Sequence, residues 1–311
     1  MSEDRVPTEV MRLAERRAEA RRRGDFAEAD DLRDAIRRAG FEVTDSPSGS
    51  TVVRRADLGG EPEPEPESVR PEDVPSLLDQ PASCDVTIHW LVEGWPQDAS
   101  RGITSFRAFD RGRSSQHVVV ELLDERPEWP PEVDRLRVAP SVGWAGARNA
   151  GLKRSRGRVV VIVDGSVEAT GDVLTPLIRA LDDLTVGVTG PFGIVTDDLR
   201  EFRPSEGPEV DAVEGYVLAF RRELIEAGVA FDPKFRFYRT ADIEFSFQVK
   251  ARGLRATVTP VPIRRHEHRM WAATPEEERA RLSKRNFYRF LDRWRGRNDL
   301  LVKPPPPTSP R

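Results

Sequence analysis

The chain is poor in cysteine and in long apolar runs, and each shortage excludes a class of protein. Of its 311 residues only one is a cysteine, Cys84, so no disulfide can form within the chain. A single thiol fits a reducing compartment. No apolar stretch approaches the ~18–20 residues that a membrane-spanning helix needs. We therefore expect a protein without a membrane span.

An excess of charge of one sign is also missing. Lys and Arg number 49 and Asp and Glu number 53, which gives a formal net charge of −4. The protein as a whole therefore exerts no electrostatic attraction on nucleic acid or on an anionic membrane. The first ten residues, MSEDRVPTEV, lack the apolar core of a signal peptide. Together these features predict a soluble, cytoplasmic protein.

The N-terminal residues have the pattern of a small module of their own. Residues 8–23 and 26–38 carry apolar side chains at helical spacing. Two short runs, FEVTD at 41–45 and STVVRR at 50–55, flank a Ser-Pro-Ser-Gly turn and predict a β-hairpin. We predict that residues 1–55 fold as a helical hairpin followed by a β-hairpin.

Composition divides the rest of the chain. Residues 56–82 contain the run EPEPEPES, which cannot bury apolar surface and predicts a disordered linker. Residues 83–295 alternate strand and helix patterns, which favours an α/β fold with a doubly wound, mostly parallel sheet. Residues 296–311 end in a proline-rich run and predict a disordered tail. The predicted strands lie at 85–92, 117–123, 135–140, 158–164 and 185–190, and the main helices at about 171–183 and 275–294.

Two carboxylates stand where an open α/β sheet places its ligands. The buried run RVVVIVDGS at 158–166 ends on Asp164, and FDPKFRFYRTADIEF at 231–245 puts Asp242 at the start of a helix. Ligands bind outside the carboxyl ends of such strands, so the two acids indicate a cleft where a hydroxyl is deprotonated. The helix dipole would favour the ionised form of Asp242. Each acid also has a structural interpretation, Asp242 as a helix cap and Asp164 as a solvated turn residue.

The order of segments around these acids resembles the family 2 glycosyltransferases. VGWAGARNAGLKRSRG (142–157) precedes the strand that ends on Asp164, and VTGP (188–191) and GYVLAFRR (215–222) follow it. The segment at 231–253 closes the series. The resemblance implies the GT-A fold, a nucleotide-sugar donor, a hydroxyl acceptor and transfer with inversion.

The resemblance assigns Asp242 as the catalytic base, although the family's acidic pair is reduced here to Ala241-Asp242. In the family, an Asp-x-Asp signature ends the central strand and holds the ribose and a divalent cation. Here the sequence is Asp164-Gly165-Ser166. The hydroxyl of Ser166 is a poorer ligand for Mg²⁺ or Mn²⁺ than a carboxylate. A metal site at Asp164 is therefore implied only in weakened form.

Further donor-binding residues follow from the same resemblance. Arg148 and Asn149 match the family's donor-binding turn, which we place at a helix N-terminus suited to phosphate. Glu121 or Asp124 follows the second strand, where the family has acids that meet the base or the ribose. Plain helix capping is the structural alternative for the first pair.

The acceptor or leaving-group side is assigned to residues that come later in the chain. The basic run RRHEHR (264–269) lies where the family often has a histidine ligand, and its cations can neutralise a departing diphosphate without metal. On an extended segment its two histidines would share one face. A solvated basic turn is the alternative. The residues placed on this side are Glu214, Tyr216, Glu244, His266, His268 and Arg269.

The N-terminal module has a resemblance of its own. Residues 21–55 are similar to the small C-terminal module of cysteinyl-tRNA synthetases, which in that family lies near the tRNA anticodon. FAEADDLRDAI (26–36) also resembles the helical hairpin that DNA-repair excision proteins use for protein contacts. Its arginines are matched by Asp and Glu, so the field for RNA is weak. We expect a protein or RNA partner through residues 8–55, with protein docking favoured.

Two functions of different classes follow. The first is an inverting glycosyltransferase that uses a nucleotide-activated sugar, and retention of Asp242 and of the GYVLAFRR segment favours it. The second is a catalytically degenerate GT-A domain that acts as a binding or scaffold protein, recruited through the N-terminal hairpin. The loss of the second Asp at Ser166 favours this alternative.

Overall fold

The computed structural model describes residues 6–23, 26–46, 49–54, 68–123, 127–130 and 132–302. The chain divides into two compact units, Met1–Pro66 and Glu67–Arg311. Over the described ranges, no helix combines the length and the apolar character needed to cross a bilayer.

The first unit has the four elements predicted for it. They are α1 (Thr8–Arg22), α2 (Phe26–Arg38), β1 (Phe41–Ser46) and β2 (Gly49–Arg54), with the two strands antiparallel. Apolar side chains one helical turn apart, and alternate residues of β1, meet in a small core because helix and strand periodicities put them on one face. The predicted turn lies partly outside the described residues. The buried core residues are Val10, Ala14, Ile36, Phe41 and Val43.

The second unit alternates strands and helices. Its strands are β3 (Cys84–Val92), β4 (Ser115–Glu121), β5 (Val133–Arg137), β6 (Gly157–Val163), β7 (Val167–Ala169), β8 (Val186–Gly190), β9 (Gly193–Thr196), β10 (Phe202–Ser205), β11 (Glu209–Val210), β12 (Ala212–Val213), β13 (Val217–Arg221), β14 (Arg255–Val258) and β15 (Ile263–Arg265). Its helices are α3 (Pro96–Ala108), α4 (Gly143–Leu152), α5 (Leu174–Ala180), α6 (Glu223–Glu226), α7 (Ala241–Lys250), α8 (Arg269–Ala273) and α9 (Glu276–Trp294), with short 3₁₀ turns at Pro140–Val142 and Asn298–Leu300.

The central sheet has the strand order β11-β14-β8-β13-β6-β3-β4-β5. The predicted mostly parallel α/β sheet is confirmed, but β13 runs antiparallel between β6 and β8. The register pairs Val217, at the start of β13, with Val163, at the end of β6. Because β13 runs backwards, its first residues lie beside the carboxyl ends of the parallel strands, where ligands bind.

Strand β6 shows why the sheet is buried on both faces. Val160 and Ile162 point into a cluster with α7 and α9, and Val159, Val161 and Val163 point into a second cluster with α3 and α5. A strand covered on both sides needs apolar residues at every position, which explains its unbroken apolar run. The end of this run therefore fixes where the first polar side chain emerges.

The predicted linker at 56–82 is shorter in the structure. Residues 68–82 pack on the second unit, because this part of the segment carries apolar side chains. Val74 is buried, and the N–H of Leu77 donates to the carbonyl oxygen of Lys153 at 2.7 Å. The rest of the predicted linker lies outside the described residues.

The predicted tail at 296–311 also begins later than composition indicated. Leu300 and Leu301 are buried against the core of the second unit. The N–H of Val302 donates to the carboxylate of Asp211 at 2.7 Å. The ordered domain therefore extends to residue 302, and the proline-rich run beyond it lies outside the described residues.

Asp211 is the buried anion that ties this end of the chain to the sheet. Its carboxylate accepts hydrogen bonds from Lys250 Nζ at 3.0 Å and from the N–H groups of Thr196 and Val302. Asp211→Ala would leave a buried cation and two buried N–H groups without their acceptor. We expect it to destabilise the protein by about 3–5 kcal/mol, measured as a lower midpoint in urea unfolding.

The control is Glu278→Ala, which removes an exposed ion pair on α9. We expect it to cost about 0–1 kcal/mol. Equal effects of the two substitutions would contradict the role given to Asp211.

Candidate active site

Asp164 and Asp242 line one cavity of about 630 Å³. The backbone of the turn that leads into β13 contacts both acids. Asp164 N donates to Tyr216 O at 3.0 Å, and the N–H of Gly215 donates to Asp242 Oδ2 at 2.8 Å. Two adjacent turn residues thus fix the strand-end acid and the helix acid in a common site.

Two residues near the acids have left-handed backbone conformations. Thr240, which precedes α7, has φ of 71°, and Trp95, which precedes α3, has φ of 49°. Thr240 lines the cavity, and Trp95 lines a smaller pocket that shares Asp164 with it. Such conformations cost about 1–3 kcal/mol each and concentrate at functional sites. The strain at Thr240 is stored two residues from Asp242.

Asp242 has the environment of a base. Its carboxylate is held only by N–H groups, those of Gly215 and of Ile243 at 2.9 Å. In the described part of the chain it has no ion pair with Lys or Arg. Burial raises its pKa, and these hydrogen bonds do not offset that effect. Burial therefore has a larger effect on this pKa than the groups that favour the ionised form.

The N-cap position of α7 belongs to Thr240, and Asp242 lies in the first turn of the helix. The side chain of Asp242 therefore does not cap its helix by the usual N-cap bond. It reaches instead to Gly215, in the turn before β13, across 27 residues of sequence. A carboxylate with a raised pKa accepts a proton more readily than an ordinary aspartate does.

Asp164 has a different environment. Its Oδ1 accepts from the N–H of Ser166 at 2.9 Å and from the Ser166 hydroxyl, and its Oδ2 lies 3.3 Å from His268 Nε2. Burial alone would raise the pKa of Asp164, but His268 and Ser166 together hold it below its usual value. Asp164 is therefore ionised at neutral pH.

His268 faces Asp164 in a fixed orientation. Its Nδ1 accepts the N–H of Trp271 at 3.1 Å, so the proton that points at Asp164 is on Nε2. The ring stacks on Tyr238 with centroids 4.6 Å apart. Burial would lower the pKa of His268, but the hydrogen bond and charge of Asp164 outweigh burial and raise it. The imidazole thus presents a donor to the site.

Arg148 is a buried cation behind both acids. Its guanidinium donates to the carbonyl oxygens of His89 at 3.3 Å and Val163 at 3.4 Å, at the carboxyl ends of β3 and β6. Burial lowers its pKa to about 10, with the charges of Asp164 and Glu93 opposing this. The side chain remains cationic at neutral pH and lines both pockets.

Glu93 is a site residue that the sequence reasoning missed. It follows β3 directly and lines the smaller pocket with Arg148, Asp164 and His268. Burial raises its pKa to about 7, and the charge of Asp164 acts in the same direction while the two cations oppose it. The sequence pattern that indicates Asp164, an acid directly after a buried strand, is also present at Glu93.

The structure also brings together most of the residues placed on the acceptor side. Glu214 and Tyr216 line the main cavity with His268, and Arg269 lines the smaller pocket, where Ser166, predicted to bind the donor, also lies. Burial raises the pKa of Glu214, and the negative charge of Asp242 adds to the effect. The cavity therefore holds two carboxyl groups that bind protons more tightly than usual.

Asn149 and Glu121 lie outside the linings of both pockets. The Asn149 amide makes two hydrogen bonds with the backbone of Phe231, at 2.7 and 3.0 Å. Glu121 is buried and accepts from the indole N–H of Trp129. Asp124 lies outside the described residues. Donor binding by Asn149 or Glu121 therefore requires a ligand that reaches beyond these pockets.

The helix N-terminus predicted to bind phosphate is not available. Helix α4 begins at Gly143, so Arg148 lies in its middle rather than at its start. The N–H groups of Trp144 and Ala145 donate to the carbonyl oxygens of residues 236 and 235, both at 3.2 Å. Because these first-turn donors are already used, the prediction of a phosphate site there is wrong.

Glu244 and His266 are also turned away from the cavity. Glu244 pairs with Arg293 at 2.5 Å and ties α7 to α9. His266 Nε2 lies 2.7 Å from Glu168, whereas His268 faces Asp164. The prediction that the two histidines share a face is wrong, since β15 ends at residue 265 and α8 begins at 269.

The arginines of the 264–269 run are largely neutralised. Arg264 lies 3.7 Å from Glu168, and Arg269 lies 3.3 Å from Asp98. Arg265 packs its guanidinium over Tyr216, 4.7 Å from the ring centroid. His268 is therefore the member of this run that faces the strand-end acid.

The residues at Asp164 do not by themselves complete a divalent-cation site. The described residues contain no group of three or more His, Cys, Asp or Glu side chains that can hold a metal ion. Ser166 supplies a hydroxyl, and it is hydrogen-bonded to the carboxylate. Mg²⁺ and Mn²⁺ prefer anionic oxygen ligands, so a metal at Asp164 stays a prediction.

Comparison with known proteins agrees with this geometry. Residues 114–244 match the model of glycosyl transferase family 2, and residues 3–52 match the cysteinyl-tRNA ligase anticodon binding domain. The predicted resemblance is confirmed. The first match contains both Asp164 and Asp242, so the cavity between them lies in a glycosyltransferase-like domain.

One solved structure supports the same fold. GalNAc-T7, in a crystal structure with UDP, GalNAc and Mn²⁺, has a TM-score of 0.54 at 16% identity and covers 68% of this chain. The match spans 48% of that protein. The mannosyltransferase PcManGT from Pyrobaculum calidifontis, in complex with GDP-Man and Mn²⁺, has a TM-score of 0.48 at 20% identity over 67% of this chain and 64% of that one. The second score is too low to establish a shared fold.

The N-terminal unit has a curated relative. The cysteine–tRNA ligase of Caldicellulosiruptor saccharolyticus is 40% identical over 52 residues, which are 17% of this chain. The match spans only 11% of that ligase. It therefore concerns the small module and not the enzyme's catalytic part.

The raised pKa of Glu93 gives a prediction about pH. Its folded-state pKa of about 7 lies above its usual value, so its contribution to stability is complete at acidic pH and is lost as pH rises through about 7. Glu93→Gln has no carboxyl group to ionise at this position, so the variant does not lose stability in this way. At about pH 8 we expect the variant to be more stable than the wild type by about 1–3 kcal/mol. The measurement is urea unfolding from about pH 5 to about pH 8.

The exposed Glu277→Gln on α9 serves as the control and should parallel the wild type. If Glu93→Gln also gave a curve parallel to the wild type, Glu93 would titrate normally and the burial argument would be wrong.

Proposed function

We propose that the glycosyltransferase-like domain transfers a sugar from a nucleotide-activated donor to a hydroxyl acceptor, with inversion, and that Asp242 is the base. One observation carries the proposal. Asp242 forms no ion pair with Lys or Arg among the described residues, has a raised pKa, and lines the same cavity as Asp164. A base and a donor-binding acid that share one cavity can hold two substrates in line.

Asp242 takes the proton of the acceptor hydroxyl as the oxygen attacks the anomeric carbon. The N–H of Gly215 fixes one carboxylate oxygen, and the rise in pKa strengthens the base at neutral pH. Glu214 lies in the same cavity and is a second hydrogen-bonding group for the acceptor. Inversion follows when the base and the leaving group lie on opposite sides of the sugar.

On the donor side, Asp164 is ionised and suited to accept hydrogen bonds from sugar or ribose hydroxyls. His268 presents Nε2–H beside it, and Arg148 contributes a buried positive charge. Charge that develops on a departing diphosphate is stabilised by donors and cations fixed before the reaction. A nucleoside diphosphate as the leaving group is also what the family match and the UDP complex of GalNAc-T7 support by analogy.

The N-terminal unit is proposed to bind a protein or RNA partner through residues 8–55. Its match to an anticodon binding domain supports RNA. Its charges favour protein, because Arg23 pairs with Glu28 at 2.8 Å and Arg37 pairs with Glu42 at 3.2 Å. Cations that are already paired with carboxylates exert little electrostatic attraction on a phosphate backbone.

Asp242→Asn tests the base directly. The amide keeps the shape of the side chain and an acceptor for Gly215 N–H, but it cannot take a proton. We expect transfer, measured as release of nucleoside diphosphate from a panel of nucleotide sugars and acceptors, to fall by about 10²–10⁴-fold. Thermal unfolding should change little.

Asp232→Asn is the matched control, since Asp232 is absent from the cavity lining, and it should keep wild-type activity. Wild-type protein that binds nucleotide sugars without turnover, unchanged by Asp242→Asn, would instead favour the degenerate binding domain. The serine at position 166 is the observation that supports that alternative.

The incomplete ligand set at Asp164 predicts weak or absent binding of Mn²⁺. Calorimetric titration of Mn²⁺ into the protein with UDP or GDP present measures it. We expect no saturable heat at micromolar concentrations. A tight site that Asp164→Ala abolishes would show that the diphosphate and further side chains complete the coordination.

A further inference from the structure

The main cavity is lined by three exposed cationic side chains that form no ion pair among the described residues. Arg200 comes from the loop after β9, Arg239 from the segment before α7, and Lys284 from α9. An anion bound in the cavity would be attracted by all three charges.

Some cations that lie outside the cavity are paired with carboxylates. Arg203 on β10 pairs with Asp197 at 2.6 Å, and Arg281 and Arg293 on α9 pair with glutamates at 2.5 Å. The three cations that line the cavity have no such ion pair among the described residues, which leaves them available to an anionic ligand.

Arg239 is held in place by stacking. Its guanidinium lies 5.4 Å from the ring centroid of Trp271, and Arg279 lies 4.6 Å from the same ring. Cation–π contacts of this kind orient a guanidinium without consuming its hydrogen-bond donors. Arg239 thus keeps its N–H groups for a ligand. Trp271 also lines the cavity, together with Phe202 and Phe287, and these rings form an apolar wall.

The position of these cations assigns them to the acceptor. The donor-side groups Asp164, His268 and Arg148 line the smaller pocket as well as the cavity, whereas Arg200, Arg239 and Lys284 line only the cavity, as Asp242 does. The charge of Arg239 acts on Asp242 and Glu214 by opposing the rise in their pKa that burial causes. Arg239 and the base therefore act on the same part of the cavity.

We infer that the acceptor is a hydroxyl compound that carries an anionic group, a phosphate or a carboxylate, bound by Arg200, Arg239 and Lys284. Its body packs on the aromatic wall and its hydroxyl reaches Asp242. The inference rests on the proposed transfer reaction and adds the chemical class of the acceptor. Guanidinium and ammonium groups bind such anions through charge-assisted hydrogen bonds.

Binding of simple sugars to the full chain tests the inference. Calorimetry compares glucose 6-phosphate, glucuronate and glucose as probes, with UDP and GDP as donor-side probes. We expect one or both anionic sugars to bind at least about tenfold more tightly than glucose, since each charged contact contributes a factor of this size. Preference for glucose 6-phosphate identifies phosphate as the group recognised, and preference for glucuronate identifies carboxylate.

The double variant Arg200→Gln, Lys284→Gln should weaken the anionic sugar by about 10–100-fold and leave the nucleoside diphosphate unchanged. The control is Arg285→Gln, which removes the same charge from the next position of α9, outside the cavity lining. It should bind all probes like the wild type.

Several results would overturn the inference. Equal affinity for glucose and both anionic sugars would show that the cavity has no anion site. An equal loss of affinity in Arg285→Gln would show that the binding reflects general electrostatic attraction. Loss of nucleoside diphosphate binding in the double variant would assign the cations to the donor. A wild type that binds anionic sugars but neither UDP nor GDP would instead count against the proposed transfer reaction and leave the anion site standing.

Discussion

The site depends on one strand that runs against its neighbours. Because β13 runs antiparallel between β6 and β8, it begins beside the carboxyl end of β6, and the two turn residues that lead into it contact both acids. The N–H of Gly215 binds the carboxylate of Asp242, and the carbonyl oxygen of Tyr216 accepts from the backbone N–H of Asp164. In a fully parallel sheet the start of that strand would lie at the opposite edge. Strand direction therefore brings the turn that contacts the base and the donor acid to this edge of the sheet.

Behind the acids, electrostatics are balanced around a buried cation. Arg148 ties the ends of β3 and β6 through their carbonyl oxygens and faces Asp164 and Glu93. The two carboxyl groups beside Arg148 differ in their protonation. Asp164, with His268 beside it, stays ionised, while burial without such a partner keeps Glu93 close to half-protonated at neutral pH. Environment therefore separates two carboxyl groups of one pocket into an acceptor and a donor of hydrogen bonds.

Local patterns in the sequence predicted most of the elements, because they depend on residues close together in the chain. The apolar run that ends on Asp164 and the 3.6-residue period of α9 are of this kind. The direction of β13 could not be predicted, since GYVLAFRR has the composition of any buried strand. The start of α4 differs from the prediction that Arg148 and Asn149 lie at a helix N-terminus, because the helix already begins at Gly143, with φ of 76°. Contacts between distant segments, such as Arg239 with Trp271, have no local signal.

The C-terminal hydrogen bond of Val302 changes where the domain can be said to end. Composition places the border at residue 296, but the N–H of residue 302 still donates to a buried carboxylate. A chain truncated a few residues before Val302 would lose no recognisable motif. It would nevertheless expose the residues that pack around Leu300, and Asp211 would lose one hydrogen-bond donor. When a domain border is chosen for truncation or fusion, the last residue that hydrogen-bonds to a buried group is therefore a better guide than the first residue of a disorder-prone composition.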